Sequence, residues 1–245
     1  HDITTNGVDG LLENDKYGNL VPSIAEDWSV SKDGLTYTYK IRKGVKWYDA
    51  DGEEHGEVTA HDFVTGLQHA ADKKSETLPL VQDSVKGLKD YVDGKITDFS
   101  QVGVKAVDDY TLEYTLNQPE TFWNSKTTNG VLMPINGEFL ESKGDNFGQP
   151  GDVKSILFNG PFLLKSITSK SEITFEKNED YWDKTTFIST RLNCLIMMDQ
   201  IKIPWRAALV MDHTQLLDFS QQAQTLLLLK KNTKTTSTTH SLELV

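Results

Sequence analysis

The stretch Ser31-Lys32-Asp33-Gly34-Leu35-Thr36-Tyr37-Thr38-Tyr39-Lys40-Ile41 decides how this chain folds. Asp33-Gly34 marks a tight turn, because glycine accepts the positive φ such turns require, and Trp28-Ser29-Val30 forms the arm before it. In the arm after it, Leu35, Tyr37, Tyr39 and Ile41 share one face and Thr36, Thr38 and Lys40 the other, which is the period of a half-buried strand. The design recurs around Asp108-Asp109, where Val104 to Val107 leads into Thr111 to Leu116 with Leu112, Tyr114 and Leu116 on the inner face. A third hairpin is expected from Phe162 to Ile167 and Ile173 to Glu176, around Ser169-Lys170-Ser171.

Between the hairpins the period lengthens. Thr59-Ala60-His61-Asp62 reads as a helix start, with Thr59 as N-cap and Asp62 near the positive end of the dipole; Phe63, Leu67, Ala70 and Ala71 then fall on one face. A second helix is expected over Asn136 to Ser142, and a short one within Asp83 to Lys95, broken near Gly87 and Gly94. The irregular alternation of strands and helices implies an α+β fold rather than repeated βαβ units.

A chain of 245 residues with 37% hydrophobic side chains can fill an ordinary core, and its net charge of -11 argues against nucleic acid or anionic lipid as a partner. The single cysteine, Cys194, excludes an internal disulfide framework and a multi-cysteine metal site. His1-Asp2-Ile3-Thr4 carries no signal-peptide pattern and the longest purely aliphatic run is Leu226 to Leu229, so a secretion signal or lipid anchor is expected upstream.

The character of the chain changes near Thr185. All 17 glycines lie at or before Gly160 and all eight tyrosines at or before Tyr181. Residues 185–245 carry six basic and four acidic side chains, whereas the first 184 residues carry 19 basic and 32 acidic ones. Methionine and tryptophan have one codon each, so the run Met197 to Trp205 constrains its own gene. Read from the third base of the Met197 codon, it forces Asp-Gly and permits Ser-Asp-Gln-Asp-Ser-Leu after them. We read 185–245 as an out-of-frame tail and not a domain, with a glycine-poor helical domain, including Trp205 to Leu217, as the alternative. Lys230 to Ser241, rich in Thr and Lys, is expected to be disordered.

Little in the sequence points to catalysis. Asp49, Asp51, Glu53 and Glu54 crowd a loop with His55, but counting Asp49 as the first ligand of a calcium loop puts Glu54 at the turn glycine and Ala60 at the closing glutamate. A solvated turn is the better reading. His61 and His69 stand two helical turns apart and cannot chelate one ion together, so capping or surface roles are expected. No phosphate loop, nucleophile elbow or His-Glu-x-x-His occurs, and neither enzyme activity nor any cofactor or metal is expected. Trp28, Trp47, Trp123 and Trp182 are assigned to packing.

Several segments together resemble the family 5 extracellular solute-binding proteins, the oligopeptide and dipeptide receptors of ABC importers. They are Ala25-Glu26-Asp27-Trp28, Ser31 to Trp47, Thr59-Ala60-His61-Asp62-Phe63-Val64, Val107 to Leu112, Asn159-Gly160-Pro161-Phe162 and Asn178-Glu179-Asp180-Tyr181-Trp182-Asp183. The wording is similar to that of the streptococcal oligopeptide-binding lipoproteins. The resemblance implies a type II periplasmic-binding-protein fold, whose two lobes close on an extended peptide held largely through its backbone. On that map, residues 1–21 and 150–184 form part of lobe I and 22–149 an appended subdomain, with the second lobe absent. The resemblance also places peptide contacts at Asn6, Gly7, Val8, Asp9 and Gly10, a cleft-edge strand, and at Phe158, Asn159 and Gly160, a cleft-lining turn. Gly10 and Gly160 have a second reading as turn residues.

The implied function is the substrate-binding component of an ABC-type oligopeptide importer, extracellular and lipid-anchored in the full-length parent, with oligopeptides and the importer's permease subunits as partners. The chain lacks the anchor cysteine, the first strand and the second lobe of that pattern, so weak or absent peptide binding is expected of it alone. A protein-interacting or non-functional remnant of such a receptor is the alternative. An enzyme built on the 49–54 carboxylates is disfavoured, for want of a nucleophile or metal set.

Overall fold

Tyr37, Tyr39 and Ile41 are buried and alternate with exposed or half-buried Thr36, Thr38 and Lys40, as the period-two pattern requires. They belong to β4 (Thr36–Ile41), which pairs on one side with β3 (Ala25–Val30) across the Asp33-Gly34 turn. Gly34 adopts φ +73° there. On its other side β4 meets β8 (Thr111–Thr115), itself joined to β7 (Val104–Asp108), giving a four-stranded antiparallel sheet in the order β3-β4-β8-β7. The register sets Tyr37 opposite Tyr114 and Tyr39 opposite Leu112. Tyr39 and Tyr114 meet edge to face at 6.2 Å, and Trp123 packs 5.3 Å from Tyr114. The Tyr39 hydroxyl donates to Asn124 Oδ1 (2.6 Å) and that of Tyr37 to the Glu120 carbonyl (2.6 Å). Burying each such ring stabilises by about 1.5–3 kcal/mol.

This computed structural model describes residues 7–15, 17–168, 172–183 and 191–195. All of them belong to one compact unit. The remaining sheets are β1 (Leu12–Asn14) with β2 (Leu20–Pro22), β5 (Lys46–Tyr48) with β6 (Glu54–Glu57), and β9 (Phe162–Thr168) with β10 (Glu172–Lys177) and β11 (Arg191–Leu195). All described pairings are antiparallel, as the α+β reading requires. Strand β11 lies within the region that the composition removed from fold reasoning: its backbone extends the β9–β10 hairpin by a third strand. The Ser169-Lys170-Ser171 turn and Trp205 to Leu217 lie outside the described residues.

Helix α1 (Ala60–Asp72) begins at the expected place and buries Phe63, Leu67 and Ala71. Helices α2 (Leu88–Val92), α3 (Trp123–Lys126) and α4 (Gly137–Lys143) are short. Asn136 caps α4 by accepting from the Phe139 N–H (2.8 Å), and Gly87 and Gly94 bound α2 at φ +72° and +74°. The acidic loop closes as a turn, with Asp49 Oδ1 accepting from the Asp51 and Glu53 N–H groups while Asp51, Glu53 and Glu54 stay exposed. His61 is exposed beside Asp109, whereas His69 is half-buried against the Phe147 ring, 5.3 Å away, a packing position rather than a surface or capping one.

At the head of α1, Asp62 is almost fully buried, and its Oδ2 accepts from the Thr59 N–H (2.9 Å) and from Trp47 Nε1 (3.0 Å). Burial pushes this carboxyl above the ordinary range, against the lowering effect of those donors. Asp62→Ala leaves two buried donors unpaired and should cost about 2–4 kcal/mol of stability, while Asp62→Asn keeps an acceptor and should cost less. Because the folded-state value lies above the unfolded one, the native state holds the extra proton between the two, and this group's contribution falls as pH rises through that window. Urea midpoints should therefore show Asp62→Asn improving relative to the parent as pH rises from about 4. A pH-independent difference would contradict this account.

Candidate functional site

The turn at 158–161 is built from main-chain bonds that tie three distant parts of the chain together. Phe158 exchanges N–H and C=O with Tyr48 at 2.7 Å in each direction. The Gly7 carbonyl accepts from both Asn159 N–H (3.1 Å) and Gly160 N–H (2.9 Å). Asn178, itself buried, closes the far side: its N–H donates to the Pro161 carbonyl (2.8 Å) and its Nδ2 to the Gly160 carbonyl (3.1 Å). Every one of these groups would otherwise be a buried polar group without a partner.

The two segments singled out from the sequence, 6–10 and 158–160, are thereby brought against each other. Asn6 lies outside the described residues, and Gly7, Val8, Asp9, Gly10, Phe158, Asn159 and Gly160 are all buried. Asn159 Oδ1 accepts from the Asp9 N–H at 2.7 Å, a bond spanning 150 residues of chain. The glycines serve close approach rather than a turn. A Cβ on Gly160 would stand 2.9 Å from the Gly7 carbonyl carbon and oxygen, one on Gly7 2.5 Å from the Phe158 ring, and one on Gly10 2.8 Å from Met133 Sδ.

Asp9 carries the charge of the site. Its Oδ2 accepts from the Tyr181 hydroxyl (2.6 Å) and from Trp182 Nε1 (3.3 Å). Arg42 stacks its guanidinium 4.4 Å over the Trp182 ring, and its Nε donates to the Ser23 carbonyl (3.3 Å). Burial, followed by the nearby Asp9 charge, raises the Tyr181 hydroxyl far above its ordinary value, so it remains a neutral donor. Residues 9, 42, 181 and 182 thus form one polar knot that clamps the first segment to the chain after β10. Sequence reasoning noted Tyr181 and Trp182 only as parts of a motif. The available signal was the pair of rings with polar tips, which need a buried acceptor.

A solvated, half-open concavity of about 620 Å³ lies beside this knot, with Val8, Trp47, Leu157 and Leu164 among its walls. The arrangement offers packed main chain and neutral donors, without a nucleophile paired to a base.

Comparison with known proteins gives this geometry a family. Residues 19–202 match bacterial extracellular solute-binding proteins, family 5, and the chain belongs to that family. Among its relatives are the oligopeptide-binding protein SarA of Streptococcus gordonii, 70% identical over 183 residues, and AmiA of Streptococcus pneumoniae, 68% identical over 182 residues. These alignments cover 75% and 74% of this chain, and the chain spans 28% of each relative. The solved structure of Listeria monocytogenes OppA bound to peptide superposes with a TM-score of 0.71 at 34% identity, over 80% of this chain and 38% of that one. The family is a solute-binding and extracytoplasmic one, and the resemblance read from the sequence segments is to this same family.

The close approach makes a graded prediction. Gly160→Ala meets backbone that cannot rotate away and should cost about 1–3 kcal/mol; Gly10→Ala meets the flexible end of Met133 and should cost clearly less. Urea denaturation of the two variants checks the order, and equal losses would refute it.

Proposed function

We propose that this chain is part of the substrate-binding component of an ABC-type oligopeptide importer, which captures extended peptides outside the membrane and presents them to the permease subunits. The observation that carries this reading is the identity of 68–70% to proteins named as oligopeptide-binding. On this reading the fold is the lobe I side of a two-lobe, type II binding protein. Residues 1–21 and 150–184 belong to the lobe, 22–149 form the appended subdomain, and 185–245 stand apart as an out-of-frame tail. The segments Asn6–Gly10 and Phe158–Gly160 form that lobe's side of the peptide cleft. Their burial makes positioning the natural role of Phe158, Asn159 and Asp9: they hold the main chain of the wall in place. Peptide held mainly through its backbone leaves side chains free to vary, which suits a receptor for many sequences.

A single wall cannot enclose a ligand. The 245-residue chain alone should therefore bind a peptide at least about 100-fold more weakly than the pneumococcal relative does, by isothermal calorimetry. Exchanging residues 7–183 into that relative should keep its affinity within about tenfold. Tight saturable binding by the chain alone would overturn the one-wall account. A folded exchange protein that binds no peptide would overturn the functional one.

A further inference from the structure

The concavity beside the polar knot is a docking groove, and its chemistry restricts what fits there. Its walls come from α1, from the irregular segments 130–136 and 147–157, and from β9, with half-buried Ala70, Met133, Ile135, Phe139, Ile156 and Ile167 among the apolar surfaces. The floor is rigid: Gly66 lies so close to the Met133 carbonyl that a Cβ would meet its oxygen at 2.2 Å. His69, Lys73, Asn136 and Asp152 stand among the polar lining groups. An apolar space of about 620 Å³ is far larger than the voids that folded interiors leave unfilled.

An extended peptide held by strand addition is a poor fit. The Met133, Ile135 and Gly148 N–H groups are already committed to the carbonyls of Gly130 (3.3 Å), Asp62 (2.9 Å) and Ser155 (3.1 Å). That leaves apolar side chains as the main contact the groove offers. A second copy of the chain is disfavoured by its net charge of -11. Relatives about 70% identical over this stretch carry most of their length outside the 28% that it spans.

We propose that this groove is the seat of an apolar segment from the part of an oligopeptide-binding polypeptide that lies outside the matched 28%, whether that part is in the same chain or in a second one. The groove is an assembly interface, distinct from the peptide-contacting wall.

The test compares the full chain with the intact pneumococcal relative. Ile156→Cys and Ile167→Cys are made singly in the 245-residue chain carrying Cys194→Ser, with cysteines at the aligned positions of the relative, and maleimide labelling rates are followed by mass spectrometry. Two groove positions guard against one variant failing to fold, and Val107→Cys, at a position 49% exposed, serves as the control. Both groove positions should label at least about tenfold more slowly in the relative than in this chain, with the control labelled alike in both. Equal groove rates in the two proteins would overturn the proposal. So would protection in this chain alone that grows with its concentration, which would seat a second copy there. Peptide binding is not read in this assay, so it can fail while the transport reading stands, and the reverse.

Discussion

The structure depends on the contact in which one carbonyl oxygen, that of Gly7, accepts two N–H groups from a turn about 150 residues further along. That contact needs two main chains within van der Waals distance, and only residues without a Cβ allow it at Gly7 and Gly160. Because the turn is also bonded to Tyr48 and to Asn178, it connects the start of the described chain, the β5–β6 hairpin and the segment after β10. Each link is a main-chain bond or a bond to a short amide side chain. Such links fix distance and direction more tightly than apolar packing does. A wall meant to meet the backbone of many different ligands needs this kind of rigidity.

The Asp9 knot reinforces the same junction by different means. A buried carboxylate is costly unless donors surround it, and here a phenol and an indole supply neutral donors while a guanidinium stacks on the indole. The three partners come from places far apart in the chain, so the charge is satisfied only when the tertiary structure is complete. Asp62 repeats the solution on a smaller scale, with the Thr59 N–H and the Trp47 indole as its donors. In both cases the tryptophan packs and also carries a specific bond, which the assignment of the tryptophans to packing alone did not separate.

Much of this was legible in the sequence where the information is local. The alternation of Tyr37, Tyr39 and Ile41, the Asp33-Gly34 and Asp108-Asp109 turns, and Thr59 before α1 each act within a few residues, and the elements lie where these signals put them. The partners of Asp9 were not legible, because nothing in the sequence sets a carboxylate beside a tyrosine 172 positions away. The groove escaped for a related reason: irregular segments such as 130–136 and 147–157 have no period to read. Strand β11 escaped because composition describes side chains, whereas adding a strand to β10 needs only a backbone.

The division between local and distant contacts also orders the way the chain assembles. The four-stranded sheet joins two hairpins with tight turns, and α1 begins at its own N-terminal signals, so these parts close short loops at small entropic cost. The contacts of Gly7 and Asp9 close loops of about 150 residues or more. They come last, since such closure is favourable only once the pieces it joins are already ordered. The candidate peptide wall is therefore the part of the fold that depends on all the rest. Weakening any of its anchors, Tyr48, Asn178 or Tyr181, would loosen the wall while leaving the four-stranded sheet intact. Local opening of this kind is a property that a ligand-gripping surface shares with the least stable regions of folded proteins.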